Sequence, residues 1–269
     1  MFDRAGIPQP VKESSMISLA VYNMKGGVGK TTTTVNLAYL CAREGRRTLI
    51  WDLDSQGAAT FYLNVEPDAE MKAKQLLKAH KDMDALIRPT GYPRLDILPA
   101  GFQIRHLDAL LEDEKKGRKR LVKIFETFSQ RFDVVFLDCP PSISFLSETI
   151  FRSVDCLIMP VIPTVLAHKA YEQVRAYIRE TTDHPLRILP FFSMFDWRKK
   201  IHREAFDQGT KPGGGYLRTC IPTRSVIERM GVHRAPLPVS SPKSDCVASY
   251  VDLWSEIKTN LKNPPRFDS

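Results

Sequence analysis

Between Ala20 and Thr32 the sequence reads Ala20-Val21-Tyr22-Asn23-Met24-Lys25-Gly26-Gly27-Val28-Gly29-Lys30-Thr31-Thr32: an apolar strand, a glycine-rich turn and a helix start. Phosphate binding needs that order. Glycines let backbone N–H groups close on phosphate oxygens, the helix N-terminus adds positive potential, Lys30 reaches the outer phosphates, and the Thr31 hydroxyl ligates Mg²⁺. A chance glycine turn would rarely also set Lys-Thr at a helix start behind a hydrophobic strand. Lys25, Gly26, Gly27, Val28, Gly29, Lys30, Thr31 and Thr32 are thus the candidate site for ATP with Mg²⁺.

Carboxylates follow at two strand ends. Leu49-Ile50-Trp51-Asp52-Leu53-Asp54-Ser55-Gln56-Gly57 offers Asp52 and Asp54, where ligands bind in open parallel sheets. Phe132-Asp133-Val134-Val135-Phe136-Leu137-Asp138-Cys139-Pro140-Pro141-Ser142 looks like a Walker B strand, whose terminal Asp138 would hold Mg²⁺ through water. Either of Asp52 and Asp54 could instead cap the turn that follows.

The common phosphate-loop fingerprint has glycine where Met24 stands, and here a second lysine, Lys25, opens the loop. In this the chain resembles the deviant-Walker ATPases of the ParA/MinD family, whose loop reads K-G-G-x-G-K-T. The D-x-D and D-x-P-P segments appear in family order, with Ser55 in place of proline. The likeness continues through Met159-Pro160-Val161-Ile162-Pro163-Thr164 and Met194-Phe195-Asp196-Trp197-Arg198, and more weakly through Ile221-Pro222-Thr223-Arg224 and Ser241-Pro242-Lys243-Ser244. The resemblance implies that Lys25 reaches across an ATP-bound homodimer to the partner's nucleotide. It implies too that Asp54 orients the attacking water and that Asp52 supports the Mg²⁺ shell. Catalysis would then rest on Lys25, Lys30 and Asp54, and the metal on Thr31, Asp52 and Asp138.

These residues need a frame that brings strand ends together. Apolar, β-branched runs recur at Met16 to Asn23, Thr48 to Asp52, Leu95 to Leu98, Val134 to Asp138, Cys156 to Pro160 and Ile188 to Ser193, with helical periodicity between several of them. The expected class is α/β: a mostly parallel twisted sheet with helices on both faces, the P-loop NTPase fold with a deviant Walker A loop. Val35, Leu37, Ala38, Leu40 and Cys41 mark the first helix, and Gly45 sits where it would stop. The expected organisation is a flexible arm over residues 1–14, one ATPase domain over 15–263 and a tail over 264–269.

Charge and composition narrow the partners. A net charge of +8 favours polyanions. Arg198, Lys199, Lys200 and Arg203 crowd one stretch, which reads as a helix with Arg198 flanking His202 and Lys199 adjoining Arg203, and Arg224 follows. Such a run is commonly only a solvated face; the family resemblance turns the reading toward non-specific DNA. A second basic run, Lys115 to Arg120, opens another expected helix and is read as solvated. The five cysteines form no C-x-x-C pair and are read as reduced core thiols, so iron–sulfur chemistry is not expected. No apolar run reaches membrane-spanning length, and the stripe Tyr250, Leu253, Trp254, Ile257, Leu261 reads as a core-facing last helix rather than a membrane anchor.

The resemblance therefore implies a cytoplasmic, nucleoid-associated ATPase that dimerises with ATP and hydrolyses it weakly until a cargo-linked activator protein stimulates it. Such an ATPase positions or segregates a plasmid, a chromosome or a protein body such as a carboxysome. Two other classes use the same engine: a MinD-like membrane-associated positioning ATPase, and a metabolic P-loop ATPase without DNA binding.

Overall fold

A computed structural model of the chain describes residues 16–66, 86–100, 114–182 and 186–262. The expected arm over 1–14 and tail over 264–269 lie outside the described residues.

The described residues build a seven-stranded sheet. Its strands are β1 (Ile17–Val21), β2 (Thr48–Asp52), β3 (Arg88–Pro89), β4 (Leu95–Leu98), β5 (Val134–Asp138), β6 (Cys156–Val161) and β7 (Arg187–Phe192). The order is β3-β4-β2-β5-β1-β6-β7, parallel except that β3 runs against β4. The six expected strands all form, within a residue or two at their ends. The two-residue β3 was not foreseen; it is too short to carry a period and ends in Pro89, which an edge tolerates.

Alternation along each strand feeds two cores. Trp51, Val135, Leu137 and Met159 face one side, where α3 (Glu114–Ser129), α4 (Phe145–Phe151) and α5 (Val165–Thr181) pack. Leu19, Ile50, Phe136 and Ile158 face the other, covered by α1 (Lys30–Arg43) and the last helix (Asp245–Lys262). Helices therefore cover both faces, as double-sided apolar strands require. In the last helix Tyr250, Leu253, Trp254 and Ile257 are buried and Leu261 is partly so, which is the core-facing role expected of that stripe. Gly45 takes a positive φ of 91° directly after α1, as a helix stop does.

The topology decides where chemistry can occur. Strand β1 lies between β5 and β6, and the chain leaves it in one direction for β2 and re-enters on the other side through β6. At that reversal the loop after β1 opens above the carboxyl ends of its neighbours, which is the ligand crevice of such sheets.

Candidate active site

The loop from Asn23 to Gly29 crosses this crevice into α1. Gly27 and Gly29 take positive φ values of 70° and 92°, conformations that favour glycine. A Cβ on Gly29 would also stand 3.1 Å from Ser193 Oγ and 3.3 Å from Thr32 Oγ1, whereas one on Gly26 or Gly27 would meet nothing within 4 Å. The open side of the loop is thus the side a phosphate chain can approach. Val28 is buried beneath it.

Lys30 opens α1 and is largely buried. Its Nζ donates to the Lys25 carbonyl at 3.1 Å. Burial lowers its pKa, against the pull of Asp138 and Asp54. The two lysines of the loop differ in setting: Lys30 is enclosed, while Lys25 is only half-buried.

Asp52 and Asp138 end adjacent strands in direct register, both fully buried. Burial, and next the charge of Asp52, hold the Asp138 carboxyl well above the carboxylate range, against the hydroxyls of Thr31 and Thr34 and the Lys30 ammonium. Thr34 Oγ1 donates to Asp138 Oδ1 at 3.2 Å, and Asp138 Oδ2 is buried with no hydrogen-bond partner. A cation fits there: an orphaned carboxylate oxygen beside the Thr31 hydroxyl, both hard donors, matches Mg²⁺.

Asp52 is engaged differently. Its Oδ2 accepts from Thr60 N–H at 2.9 Å and Thr60 Oγ1 at 2.7 Å, and its Oδ1 from Asp54 N–H at 3.3 Å. Thr60 lies in α2 (Ala58–Tyr62), so Asp52 anchors the turn and short helix that carry Asp54. These bonds give Asp52 the turn-anchoring contacts that either carboxylate of this segment could make. Burial lifts its pKa to about 6 despite these bonds. Asp54 is half-buried; its Oδ1 accepts from Gln56 N–H at 3.0 Å, fixing the turn.

Two residues outside the motifs brace the loop. Asn23, buried at the end of β1, donates through Nδ2 to Pro160 O at 2.7 Å and accepts Lys25 N–H on Oδ1 at 2.9 Å. The last backbone rung from this strand to β6 is Tyr22 N–H to Ile158 O, and the Asn23 side chain takes the next one, at Pro160 O. Asn36 on α1 donates to Thr32 O at 2.7 Å and accepts Leu237 N–H at 2.8 Å, tying α1 to the distant segment Leu237–Ser240. An amide inside the apolar stripe of α1 was the available sequence signal for Asn36.

The basic cluster differs from its expected form. The helix begins only at Lys200 (α6, Lys200–Thr210), with Lys199 as its cap residue, so Arg198 and Lys199 sit in the preceding loop. His202 is buried and cannot lie on a positive face; its Nδ1 accepts Asp196 N–H at 3.0 Å. Arg198 is paired through two nitrogens with Asp196, Lys200 with Glu204 at 3.6 Å, and Arg224 with Asp245 at 3.0 Å. Arg203 donates to the carbonyls of Trp197 and Arg198. Phe195 pairs with Pro222, which brings the segments bearing Arg198 and Arg224 side by side. Cys139, beside Asp138, is a buried thiol whose Sγ faces Leu137 O at 3.7 Å, as a packed cysteine would. No helix among the described residues is long and apolar enough to cross a membrane.

The chain is similar to known proteins in sequence and in fold. A family model described as an AAA domain matches residues 16–189. The sporulation initiation inhibitor protein Soj of Bacillus subtilis is 30% identical over 252 residues, covering 90% of this chain and 98% of its own length. The chromosome partitioning protein ParA of Myxococcus xanthus is 31% identical over 259 residues, covering 92% and 90%. Among solved structures, cobyrinic acid a,c-diamide synthase of Mycobacterium smegmatis with ADP and magnesium superposes with a TM-score of 0.76 at 25% identity, covering 94% of this chain and 100% of that one.

Proposed function

Since this chain belongs to the ParA-type P-loop partition ATPases, we propose that it is a positioning ATPase whose ATP-bound homodimer grips DNA without reading sequence and releases it on hydrolysis. The observation that carries the reading is the pair of lysines on one loop: Lys30 buried, with its ammonium on the Lys25 carbonyl, and Lys25 only half-buried. A single nucleotide needs one such lysine. A second, less buried one at the loop mouth suits contact with a partner's phosphates.

The settings described support a division of labour within the site. Backbone N–H groups of Gly26 to Lys30 cradle the phosphates, and Lys30 neutralises their outer oxygens. Thr31 and Asp138 would hold Mg²⁺, with Asp52 supporting the shell from one step back because its oxygens already serve Thr60 and Asp54 N–H. Bound Mg²⁺ supplies charge neutralisation on the phosphate chain. Asp54, at the half-open rim, orients the attacking water, and Lys25 of the partner chain stabilises the charge that develops. Arg198, Lys199, Lys200, Arg203 and Arg224 meet DNA phosphates, and a cargo-linked activator speeds the slow hydrolysis.

Analytical ultracentrifugation with Mg²⁺, with and without ATP and a duplex of arbitrary sequence, tests this. The expected result is a two-chain species with ATP that co-sediments with duplex at low salt and leaves it as salt rises. A single-chain species that ignores duplex with or without ATP would overturn it. Flotation with vesicles would move the chain to the membrane-positioning class, and turnover that depends on a small-molecule substrate to the metabolic class.

A further inference from the structure

Two of the three tryptophans, Trp51 and Trp254, are buried at 1% and 5% exposure, whereas Trp197 is 55% exposed. Its indole is held, not loose. It stands edge-on to Phe195 at 4.6 Å between ring centroids and to Phe206 at 5.2 Å. Phe195 is fully buried, so the support is rigid. Beside it Ile201 is 48% exposed in the first turn of α6. Cations frame this apolar tip: Arg198, its side chain 90% exposed and fixed by Asp196, then Lys199, and Arg203 locked onto the Trp197 carbonyl at 2.7 Å.

We infer that Trp197 is a nucleobase-stacking contact, and that the DNA surface is an aromatic wedge set in a cationic rim. The inference rests on the DNA reading above and deepens it. A row of cations alone would track phosphates and gain nothing from bases. An indole with two torsions, already fixed by its neighbours, loses little freedom on stacking and accepts every base, because every base has a π-face. A wedge of this kind also inserts at flexible steps of a duplex.

An anionic membrane is the other surface that takes tryptophan among cations, but the apolar area here is too small for it. Interfacial helices present a whole apolar face. In α6 Phe206 is turned into the core cluster and Ile201 is the one exposed large hydrophobic residue of that helix, with Met194 of the preceding loop adding a smaller exposed area. Flat guanidinium groups beside a single ring complement a nucleotide, phosphate to cation and base to indole.

Intrinsic fluorescence of the full-length protein with ATP and Mg²⁺ tests this, titrated with single-stranded and duplex DNA at several salt concentrations. With Trp51 and Trp254 buried, quenching on binding reports Trp197, and it should be stronger with single strands. Trp197→Ala should weaken binding roughly tenfold or more at every salt concentration without changing the slope of log affinity against log salt. Arg198→Ala should reduce that slope by about one phosphate's worth. Trp197→Phe, which keeps the contacts to Phe195 and Phe206, should retain most of the affinity. If Trp197→Ala binds DNA as the parent does, or changes the slope instead of the intercept, the inference fails and the DNA reading stands. If the parent binds no DNA, both fall. A blue shift with anionic vesicles in place of quenching by DNA would assign the wedge to lipid and overturn the inference.

Discussion

Asp52 and Asp138 stand opposite each other in register at the ends of β2 and β5, fully buried, the first satisfied by Thr60 and the second left with an unpartnered oxygen. Two carboxylates so placed repel when both are ionised, and a cation on the open one relieves the pair. The crevice is thus unfavourable when empty and prepared for a positive ion.

Asp138→Asn removes the strain of ionising the second carboxyl of the pair and keeps its size. The nucleotide-free protein should then melt about 2–4 °C higher at neutral pH, the shift expected for about 1 kcal/mol in a chain of this size. The rise in melting temperature that Mg²⁺ adds to ATP should vanish. Differential scanning calorimetry with ATP, with and without Mg²⁺, measures both; a lower apo melting point with an intact Mg²⁺ response would contradict the assignment.

Asn23→Ala tests the brace under the loop. It leaves the Pro160 carbonyl and Lys25 N–H unpaired, which should cost about 1–3 kcal/mol in denaturant unfolding. Because Lys25 N–H positions the loop, nucleotide affinity by calorimetry should fall too. Loss of stability with unchanged affinity would make Asn23 a strand clamp only.

What the sequence disclosed and what it hid divide along sequence distance. The loop, the three carboxylates and the six main strands were legible because each is set by neighbours in the chain: glycine at positive φ, lysine and threonine at a helix start, aspartate at a strand end. The roles of Asn23 and Asn36 were not, since their partners Pro160 and Leu237 lie far along the chain, and the amide in the apolar stripe of α1 marks Asn36 without naming its partner. The basic stretch was misread for a related reason. Its spacing fits a helix face, but Asp196 N–H binding to His202 holds Arg198 and Lys199 in a loop and starts the helix at Lys200.

The two lysines should separate cleanly. Lys30→Ala removes the buried ammonium at the start of α1 and should abolish ATP binding. Lys25→Ala should leave ATP binding within a few-fold of the parent while abolishing the ATP-dependent dimer. Fluorescent-nucleotide binding and light scattering read the two properties. A Lys25→Ala protein that dimerises normally would remove the proposed role in the partner's site.

His202 offers a pH test of the loop that carries Arg198. Its ring is buried against Phe195 at 5.5 Å, and Nδ1 must be unprotonated to accept Asp196 N–H. Burial and next the charge of Lys199 lower its pKa, with the Asp196 carboxylate opposing them. The sign follows from proton counting. Below its ordinary pKa of about 6.5 the unfolded chain takes up a proton that the folded chain refuses, so stability falls as pH drops through that range toward the lowered folded value. The slope is bounded by about 1.4 kcal/mol per pH unit for one proton. His202→Asn keeps an acceptor near the place of Nδ1 and does not titrate. The parent should be the more stable at pH 7.5, through its packing, and the gap between the two should narrow toward pH 5.5 in urea unfolding. A gap that stays constant or widens on acidification would mean that the imidazole is charged in the folded protein and that Asp196 N–H is held by something else.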